Sequence, residues 1–401
     1  MKNGYLKVAV YTMDESTPVK DANVFILTND TLHTTDEFGT TGSIVLGTYP
    51  KENSLEKGSK DISYKYDLKI TAEGFSDYYI NNIEIFENVT TEQKIFLEPA
   101  EENKIKSIFI DPPVLNGNYS SKYKEEENNA STYVLKDVLI PEYVIVHDGY
   151  PDDYKASKYY VPFADYIKNV AASEIYPTWG VEALKANILA IISYTLNRVY
   201  TEWYPSKGYA FTITSVTAYD QKYTVNKATF DTINVVVDEM LPQYIKRTNK
   251  NEPMFAQYCD GDVTKNEDWL YQWGSSDLAS RGYTYYNILR YYYGDSIEFK
   301  EAKYAVGLPT SFPGYNLSLG ACGEAVKKMQ EYINIIRGNY PGLIKINNPN
   351  GEFDENTRES VVFFQSTFNL SVTGVVDYAT WYKISYLYLA VMRMIYGVYD
   401  R

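Results

Sequence analysis

The chain has 401 residues, which is enough for about two to four domains. Its hydrophobic share of 45% and charged share of 22% are typical of a globular protein that buries sizeable cores. A formal net charge of −14 argues against a nucleic-acid partner. The chain has two histidines and two cysteines, which excludes most zinc hydrolases and leaves little scope for Ser-His-Asp catalysis.

Tyrosine and cysteine usage narrow the class of protein further. The 42 tyrosines suit a carbohydrate surface, because the side chain has a flat apolar face and a polar tip; a Tyr-rich composition without functional meaning is the alternative. Cys259 and Cys322 do not form a CxxC pair, and we predict that both are buried free thiols.

The N-terminus, MKNGYLKVAVYTM, lacks the apolar core of a secretory signal peptide. The sequence also lacks any run of about 18 apolar residues, so we expect no membrane insertion.

Residues 1–98 have the pattern of short strands. Apolar residues alternate in LKVAV, NVFI and DLKITA, and Asn-Asp, Phe-Gly and Glu-Gly turn signals separate these runs. The pattern predicts a small β-sandwich. The segments PVKDANV and TDEFGTTG resemble the carboxypeptidase-regulatory, transthyretin-like sandwich, and no catalytic constellation accompanies them.

Residues 99–139 read as a linker. The tract KYKEEENN is polar and charged, and the Pro-Pro and Asn-Gly pairs break regular structure. Because an exposed tract of this kind is easily cleaved, we predict a processing site here.

Residues 140–305 are predicted to form a second domain of mixed α+β structure. We expect a helix over 164–172, a long buried helix after the Pro177–Gly180 turn, a strand over 211–218, and helices over 230–241 and 282–293. Three helical patterns in residues 306–401, over 323–336, 354–368 and 377–396, predict a third domain. The fold class is therefore multidomain α+β.

One carboxylate, Glu174, lies between the first helix and the Pro-Thr-Trp-Gly turn. A glycan-cleaving enzyme needs a general acid with a raised pKa, and a carboxyl beside an apolar wall has such an environment. The alternative is a solvated acid in a loop between helices. Glu182 begins the long helix, where a carboxylate stabilises the helix dipole.

The stretch YIKNVAASEIYP, followed by VEALKAN, resembles the catalytic domain of stage II sporulation protein D. In that family a short helix ends in a glutamate before a Pro turn, and this glutamate is the catalytic acid of a peptidoglycan lytic transglycosylase. The resemblance places Glu174 in that position. A single acid suffices there, because the 6-hydroxyl of the sugar is the nucleophile.

Later segments extend this resemblance. The segments YQWGSSDLAS and TAYDQKY are similar to the family's later block and to its groove-lining strand. The family's His-Gly-x-Gly block is missing, since the sequence here reads NEDW, and its Cys-His zinc ligands have no counterpart. We therefore expect no metal and no cofactor. The resemblance makes Tyr219, Gln221, Tyr258 and Gln272 the candidate substrate contacts.

The C-terminal region resembles a three-helix peptidoglycan-binding module. The segments LGACGEAVKKMQ and GEFDENT, and the Phe-Gln and Thr-Gly-Val-Val-Asp that follow, match its pattern. Gly351 and Gly374 are expected in turns, and Phe364 and Trp381 in the core.

The order of sandwich, transglycosylase-like domain (140–305) and binding module (306–401) resembles the spore cortex-lytic enzyme family. The resemblance implies synthesis in the mother cell without a signal peptide, location in the cortex or coat of the spore, and activation at germination by a subtilisin-like protease. It also implies cortex peptidoglycan as the substrate, cleaved to anhydro-muramic ends. The full-length chain is then a zymogen.

Two other functions remain open. A non-catalytic peptidoglycan-binding or structural spore protein would retain the same scaffold. A glucosaminidase would need a second carboxylate about 5 to 9 Å from the first, with Asp220 or Asp260 as candidates.

Overall fold

The structure is a computed structural model that describes residues 1–13, 17–100, 105–113, 115, 138–141, 143–304, 313 and 315–396. The chain divides into two compact units. The first comprises Met1–Tyr49, Ser63–Ile110 and Val306–Arg401, and the second comprises Pro50–Ile62 and Asp111–Ala305. Most of the predicted linker, including the tract KYKEEENN, lies outside the described residues, so the processing site stays a prediction.

The N-terminal part of the first unit consists of strands in two sheets. In the first sheet β1 pairs antiparallel with β4 and parallel with β7. The second sheet has the order β3-β2-β5-β6-β8. The strands are β1 (Lys2–Thr12), β2 (Asn23–Ile26), β3 (Thr31–Thr34), β4 (Ile44–Thr48), β5 (Tyr64–Thr71), β6 (Tyr78–Ile85), β7 (Thr90–Leu97) and β8 (Lys106–Phe109).

One hydrophobic core lies between these two sheets, as the alternating sequence predicted. Val8, Val24, Leu68, Ile80 and Ile95 are among the side chains from both sheets that fill it. In strands such as β2, β5 and β7, burial of every second residue places one face of the strand in this core.

The C-terminal part of the first unit is helical. Its helices are α6 (Glu324–Ile336), α7 (Glu355–Thr367) and α8 (Tyr378–Tyr396), close to the predicted bounds. Phe364 and Trp381 are buried as expected. Gly351 and Gly374 have φ of 85° and 70°, which confirms their turn roles.

Within the first unit the helical part contacts the sandwich directly. The rings of Phe38 and Phe363 lie 5.5 Å apart, and Nζ of Lys7 donates to the side-chain oxygen of Asn369. The prediction that Cys322 is buried is wrong. This thiol is exposed because it lies in the loop that precedes α6.

The second unit is built around one long helix, α2, which packs against α1, α3, α4, α5 and β14. The helices are α1 (Phe163–Glu174), α2 (Val181–Tyr200), α3 (Asp231–Met240), α4 (Gln272–Ser280) and α5 (Tyr285–Tyr293). Short 3-10 helices cover Lys51–Leu55 and Pro205–Lys207. Most side chains of α2 are buried, as its wide apolar arc predicted.

Short strands surround these helices. β10 pairs antiparallel with β11 and parallel with β12, β14 pairs antiparallel with β17, and the pairs β15–β16 and β9–β18 are parallel. Their bounds are β9 (Leu139–Ile140), β10 (Tyr143–His147), β11 (Lys158–Pro162), β12 (Ile213–Thr214), β13 (Thr229–Phe230), β14 (Gln243–Arg247), β15 (Tyr258–Cys259), β16 (Leu270–Tyr271), β17 (Ile297–Glu301) and β18 (Lys303–Tyr304).

Two predictions for this unit need correction, and one helix was missed. The strand expected over 211–218 is limited to β12, because the chain turns after it and brings Asp220 onto Arg198. Helix α1 runs two residues beyond its predicted end and includes Glu174. Helix α4 was not predicted, because its sequence, QWGSSDLAS, lacks a regular apolar period.

Candidate active site

Glu174 is the last residue of α1 and is buried, with 2% of its surface exposed. The helix ends there because the next residue, Ile175, is extended and Pro177 follows two residues later. Small residues on the last turn, Ala171 and Ala172, are buried and allow close packing against α2. The expectation of a solvated loop acid is therefore wrong.

Both oxygens of the Glu174 carboxyl accept hydrogen bonds. The backbone N–H of Lys222 donates to Oε1 at 2.7 Å, and the hydroxyl of Tyr258 donates to Oε2. Burial raises the pKa of Glu174 to about 7, because removal from water disfavours the charged form. The two hydrogen bonds and the charge of Lys222 act in the opposite direction. Such a carboxyl can both give and take a proton near neutral pH.

Gln272, the first residue of α4, is 2% exposed and holds the same helix end. Its Nε2 donates to the backbone carbonyl of Glu174 at 3.2 Å. Its carbonyl Oε1 is buried and accepts no hydrogen bond from any described residue. A buried amide oxygen without a donor is costly unless a ligand or water satisfies it.

A polar chain connects Gln272 to the central helix. Oγ of Ser275 donates to the backbone carbonyl of Gln272 at 2.7 Å, and Nδ2 of Asn187 donates to Oγ of Ser275 at 2.7 Å. The start of α4, including the backbone of Gln272, is thereby attached to α2.

Gln221 and Tyr219 occupy different environments. Gln221 is completely buried: its Oε1 accepts from Tyr166 and Thr195, at 3.1 and 2.8 Å, and its Nε2 donates to the carbonyl of Ile191 at 3.2 Å. Its amide is therefore committed to the interior. Tyr219 is half-buried, and its ring meets that of Tyr150 edge-on at 5.8 Å.

Asp220, one of the two carboxylates considered for a glucosaminidase, is the centre of a buried network. Oδ1 accepts from Nε of Arg198 at 2.8 Å and from Tyr194 at 3.2 Å. Oδ2 accepts from Tyr204 and from both the N–H and the hydroxyl of Thr214. These partners use the carboxylate fully.

Asp260 is committed to a turn. Its carboxylate accepts the backbone N–H groups of Asp262, Val263 and Thr264 at 2.8 to 3.1 Å. Asp220 therefore has no free lone pair for a nucleophile or base, and three acceptor positions of Asp260 are occupied by its own turn.

Three aromatic rings pack together on the segments next to Glu174. The Tyr176, Trp179 and Trp273 ring centroids lie 5.4 to 5.9 Å apart. Trp179 is buried and Trp273 is half-buried. Aromatic faces of this kind can stack on a sugar ring.

Residues away from this site have structural roles. His147 stacks on Phe211 at 4.5 Å, and one of its ring nitrogens contacts the carbonyl of Tyr150. Cys259 is a buried free thiol, as predicted. Within the described part of the chain, no group of three or more His, Cys, Asp and Glu side chains could hold a metal ion.

Sequence reasoning did not assign roles to Lys222, whose N–H binds the carboxyl, or to Arg198. Because Lys222 directly follows the candidate Gln221, its place in the chain suggested that it lies near the site. Its role could not be predicted, because any residue type except proline can provide a backbone N–H. Arg198 lies in the last turn of α2, where a cation normally has only a helix-dipole role.

Two known families match parts of the chain. Residues 153–251 match the family described as stage II sporulation protein, and residues 322–384 match a family described as a peptidoglycan binding domain. Both matches confirm the resemblance drawn from the sequence. The chain thus joins a stage II sporulation protein region to a peptidoglycan-binding domain and has a cell-wall-related sporulation function.

No curated protein matches the chain. Among solved structures, one chain of a type II cohesin–X-dockerin complex from Acetivibrio cellulolyticus is similar at 16% identity, with a TM-score of 0.16. The likeness covers 23% of this chain and 52% of that one, and it carries no argument about the fold. None of the described helices has both the length and the apolarity to cross a bilayer.

Proposed function

We propose that the protein is a peptidoglycan lytic transglycosylase in which Glu174 is the catalytic acid and base. The observation that carries this proposal is the environment of Glu174, a buried carboxyl with a pKa of about 7 and both oxygens held by fixed donors. The group is partly protonated at neutral pH, which a general acid needs, and rigidly placed.

The reaction requires two proton transfers through one carboxyl. Glu174 protonates the glycosidic oxygen as the bond from C1 of the muramic acid residue to that oxygen breaks. The resulting carboxylate then takes the proton from the 6-hydroxyl of the same sugar as this oxygen bonds to C1. Water is not consumed, the product has an anhydro-muramic end, and Glu174 returns to its protonated form.

The surrounding residues divide the remaining tasks. Tyr258 orients the carboxyl, and the unpartnered Oε1 of Gln272 accepts a hydrogen bond from a hydroxyl or amide N–H of the glycan. Tyr219 contributes a half-buried ring as a glycan contact. Gln221 supports Tyr166 and the central helix from within, so we assign it an indirect role.

The spore cortex is the proposed substrate and site of action. The peptidoglycan-binding domain supports attachment to the wall, and the stage II sporulation protein region supports action in a sporulating cell. Action at germination, preference for cortex glycan, synthesis in the mother cell and activation by a subtilisin-like protease rest on the resemblance to cortex-lytic enzymes. A cut between residues 99 and 139 is expected to raise the activity of the full-length zymogen.

Digestion of purified cortex peptidoglycan, with mass spectrometry of the products, tests this function. Wild-type protein cut between residues 99 and 139 should release fragments with anhydro-muramic ends, whereas Glu174→Gln protein cut in the same way should release almost none. Glu239→Gln, a matched change at an exposed position of α3, should behave as wild type.

Other outcomes would replace the proposal. Reducing ends in place of anhydro ends would indicate hydrolysis, as in a glucosaminidase. Binding to the wall without products from any form, cut or uncut, would support the non-catalytic scaffold.

A further inference from the structure

Residues 50–62 interrupt the sandwich sequence between β4 and β5 and are part of the second unit. Their 3-10 helix contains Ser54, which is completely buried. Oγ of Ser54 lies 2.6 Å from Oγ1 of Thr178, and its carbonyl accepts the indole N–H of Trp179 at 3.2 Å. Thr178 and Trp179 belong to the turn that follows Glu174.

Residues 111 and 112 contact the loop on the other side of the site. Nζ of Lys227 donates to the backbone carbonyl of Asp111 at 2.7 Å. Nζ of Lys222 donates to the carbonyl of Pro112 at 3.3 Å and lies 3.9 Å from the Asp111 carboxylate. Lys222 is the residue whose backbone N–H binds Oε1 of Glu174.

The two segments therefore hold both loops that flank the proposed catalytic acid. Both precede residues 153–251, the region that matches the stage II sporulation protein family. Glu174 is 2% exposed in this arrangement, so a glycan can reach it only if part of its surroundings moves. Helices α1 and α2 form the core of the unit and are poor candidates for such movement.

The two segments are attached more weakly than that core. Leu55, Glu56 and Lys57 are exposed, and 65% of the Asp111 side chain is exposed. The ion pair of Lys57 with Asp262, at 3.8 Å, is also on the surface, where such pairs stabilise little. Local opening is cheapest where few apolar contacts are lost.

We propose that residues 50–57 and 111–112 are two straps that dock on the loops 176–180 and 219–227 and close the Glu174 site, and that a glycan enters after they are released. The docking of the two straps is inferred from the contacts of Ser54, Asp111 and Pro112 alone. The effect of the straps on cleavage rests also on the proposed function.

Two double variants with identical composition changes test the straps. Ser54→Asp with Asp111→Lys places a charge in the buried contact and a cation against Lys222 and Lys227. Ser59→Asp with Asp61→Lys makes the same exchange in the same segment, at a half-buried serine and an exposed aspartate. Hydrogen–deuterium exchange reports docking, and release of peptidoglycan fragments reports access.

In the strap variant, amide exchange over residues 176–180 and 219–227 should rise about tenfold, and cleavage should rise about fivefold. The control should match wild type in both. Unchanged exchange overturns the docking. If the wild-type protein cleaves peptidoglycan, increased exchange in the strap variant together with unchanged or reduced cleavage overturns the proposed gating. Absence of cleavage in all forms overturns the proposed function and leaves exchange to judge the docking.

A disulfide provides a test that does not require the strap to be weakened. Ser54→Cys with Thr178→Cys, in a Cys322→Ser background, replaces two oxygens 2.6 Å apart by sulfurs that can bond. Oxidation should reduce cleavage about tenfold and a thiol reductant should restore it. Failure of the bond to form, or full activity of the bonded protein, contradicts the proposal.

Discussion

The hydroxyl of Tyr258 donates a hydrogen bond to Oε2 of Glu174, although the two residues are 84 positions apart in the chain. Lys222 holds the other oxygen through its backbone N–H. Both bonds stabilise the carboxylate, whereas burial stabilises the neutral acid, and burial has the larger effect. The pKa of about 7 is thus a balance that single substitutions can shift in a known direction.

Cleavage of peptidoglycan by the wild-type protein should decline above neutral pH. A general acid acts in its protonated form, and the protonated fraction of Glu174 falls as the pH passes its pKa of about 7. Initial rates measured between about pH 5 and pH 9 should therefore fall about tenfold per pH unit on the alkaline side. A rate that stays constant to pH 9 would contradict the assignment.

Tyr258→Phe should move the alkaline limb of the pH–rate profile, where the cleavage rate falls, to higher pH. The substitution removes a hydrogen bond that favours the charged form, so the pKa of Glu174 rises further. Tyr291→Phe, an equal loss of one hydroxyl at an exposed position, should leave the limb in place. If Tyr258 acted as a glycan contact alone, KM would change and the limb would not.

Glu174→Gln should stabilise the fold at alkaline pH. Between the unfolded pKa near 4.3 and the folded pKa near 7, the native state binds more protons than the unfolded state, so native stability falls as the pH rises. Above pH 7 the buried charge costs up to about 3 kcal/mol, and the neutral amide avoids this cost.

Urea unfolding at about pH 8 and pH 4 measures the difference. The gain in the free energy of unfolding should be present at the higher pH and absent at the lower one. An equal effect at both would show that the carboxyl is not held neutral.

Gln272→Met should impair cleavage more than folding. The variant keeps the size of the side chain but loses the amide. Because Oε1 accepts no hydrogen bond from a described residue, its removal leaves no protein donor unsatisfied. Stability should change by about 1 kcal/mol, for the lost bond to Glu174, while kcat/KM falls at least about tenfold. Full activity of this variant would exclude Gln272 as a glycan contact.

Asp220→Asn should act on stability. Arg198 is buried, and loss of the opposing charge leaves the guanidinium uncompensated, at a cost of about 3 to 5 kcal/mol. Asp262→Asn, on a half-exposed side chain, should have little effect on unfolding. A stable Asp220→Asn protein without activity would instead support a two-carboxylate mechanism.

The long periodic elements were predictable because their signal is local. Helices α2, α3, α6, α7 and α8 and the alternating strands of the sandwich follow from apolar spacing, turn residues and Pro positions. The predicted strand over 211–218 failed for a non-local reason. Arg198 and its neighbours recruit Asp220, and this contact bends the chain after two strand residues.

The candidate site divides in the same way. The resemblance to stage II sporulation protein D made Glu174 the candidate acid, through its place before Ile-Tyr-Pro, whereas residue pattern alone left a solvated loop acid open. The resemblance also grouped Gln272, Tyr258 and Gln221 with Glu174, but it could not tell their roles apart. In the structure Tyr258 binds the carboxyl, Gln272 has a side-chain oxygen without a donor, and the Gln221 amide is bonded within the interior. Those roles depend on burial and on donors brought from distant positions.

What the sequence by itself determined is the long periodic helices and strands and the order of its regions, because residue type and spacing carry that information. The type of the proposed mechanism came from the resemblance to stage II sporulation protein D. Tertiary structure alone decided that Glu174 is buried and that its oxygens face Lys222 and Tyr258. It also decided that residues 50–62 and 111–112 contact the flanking loops. Desolvation and long-range hydrogen bonds are properties of packing, and packing exists only once the chain has folded.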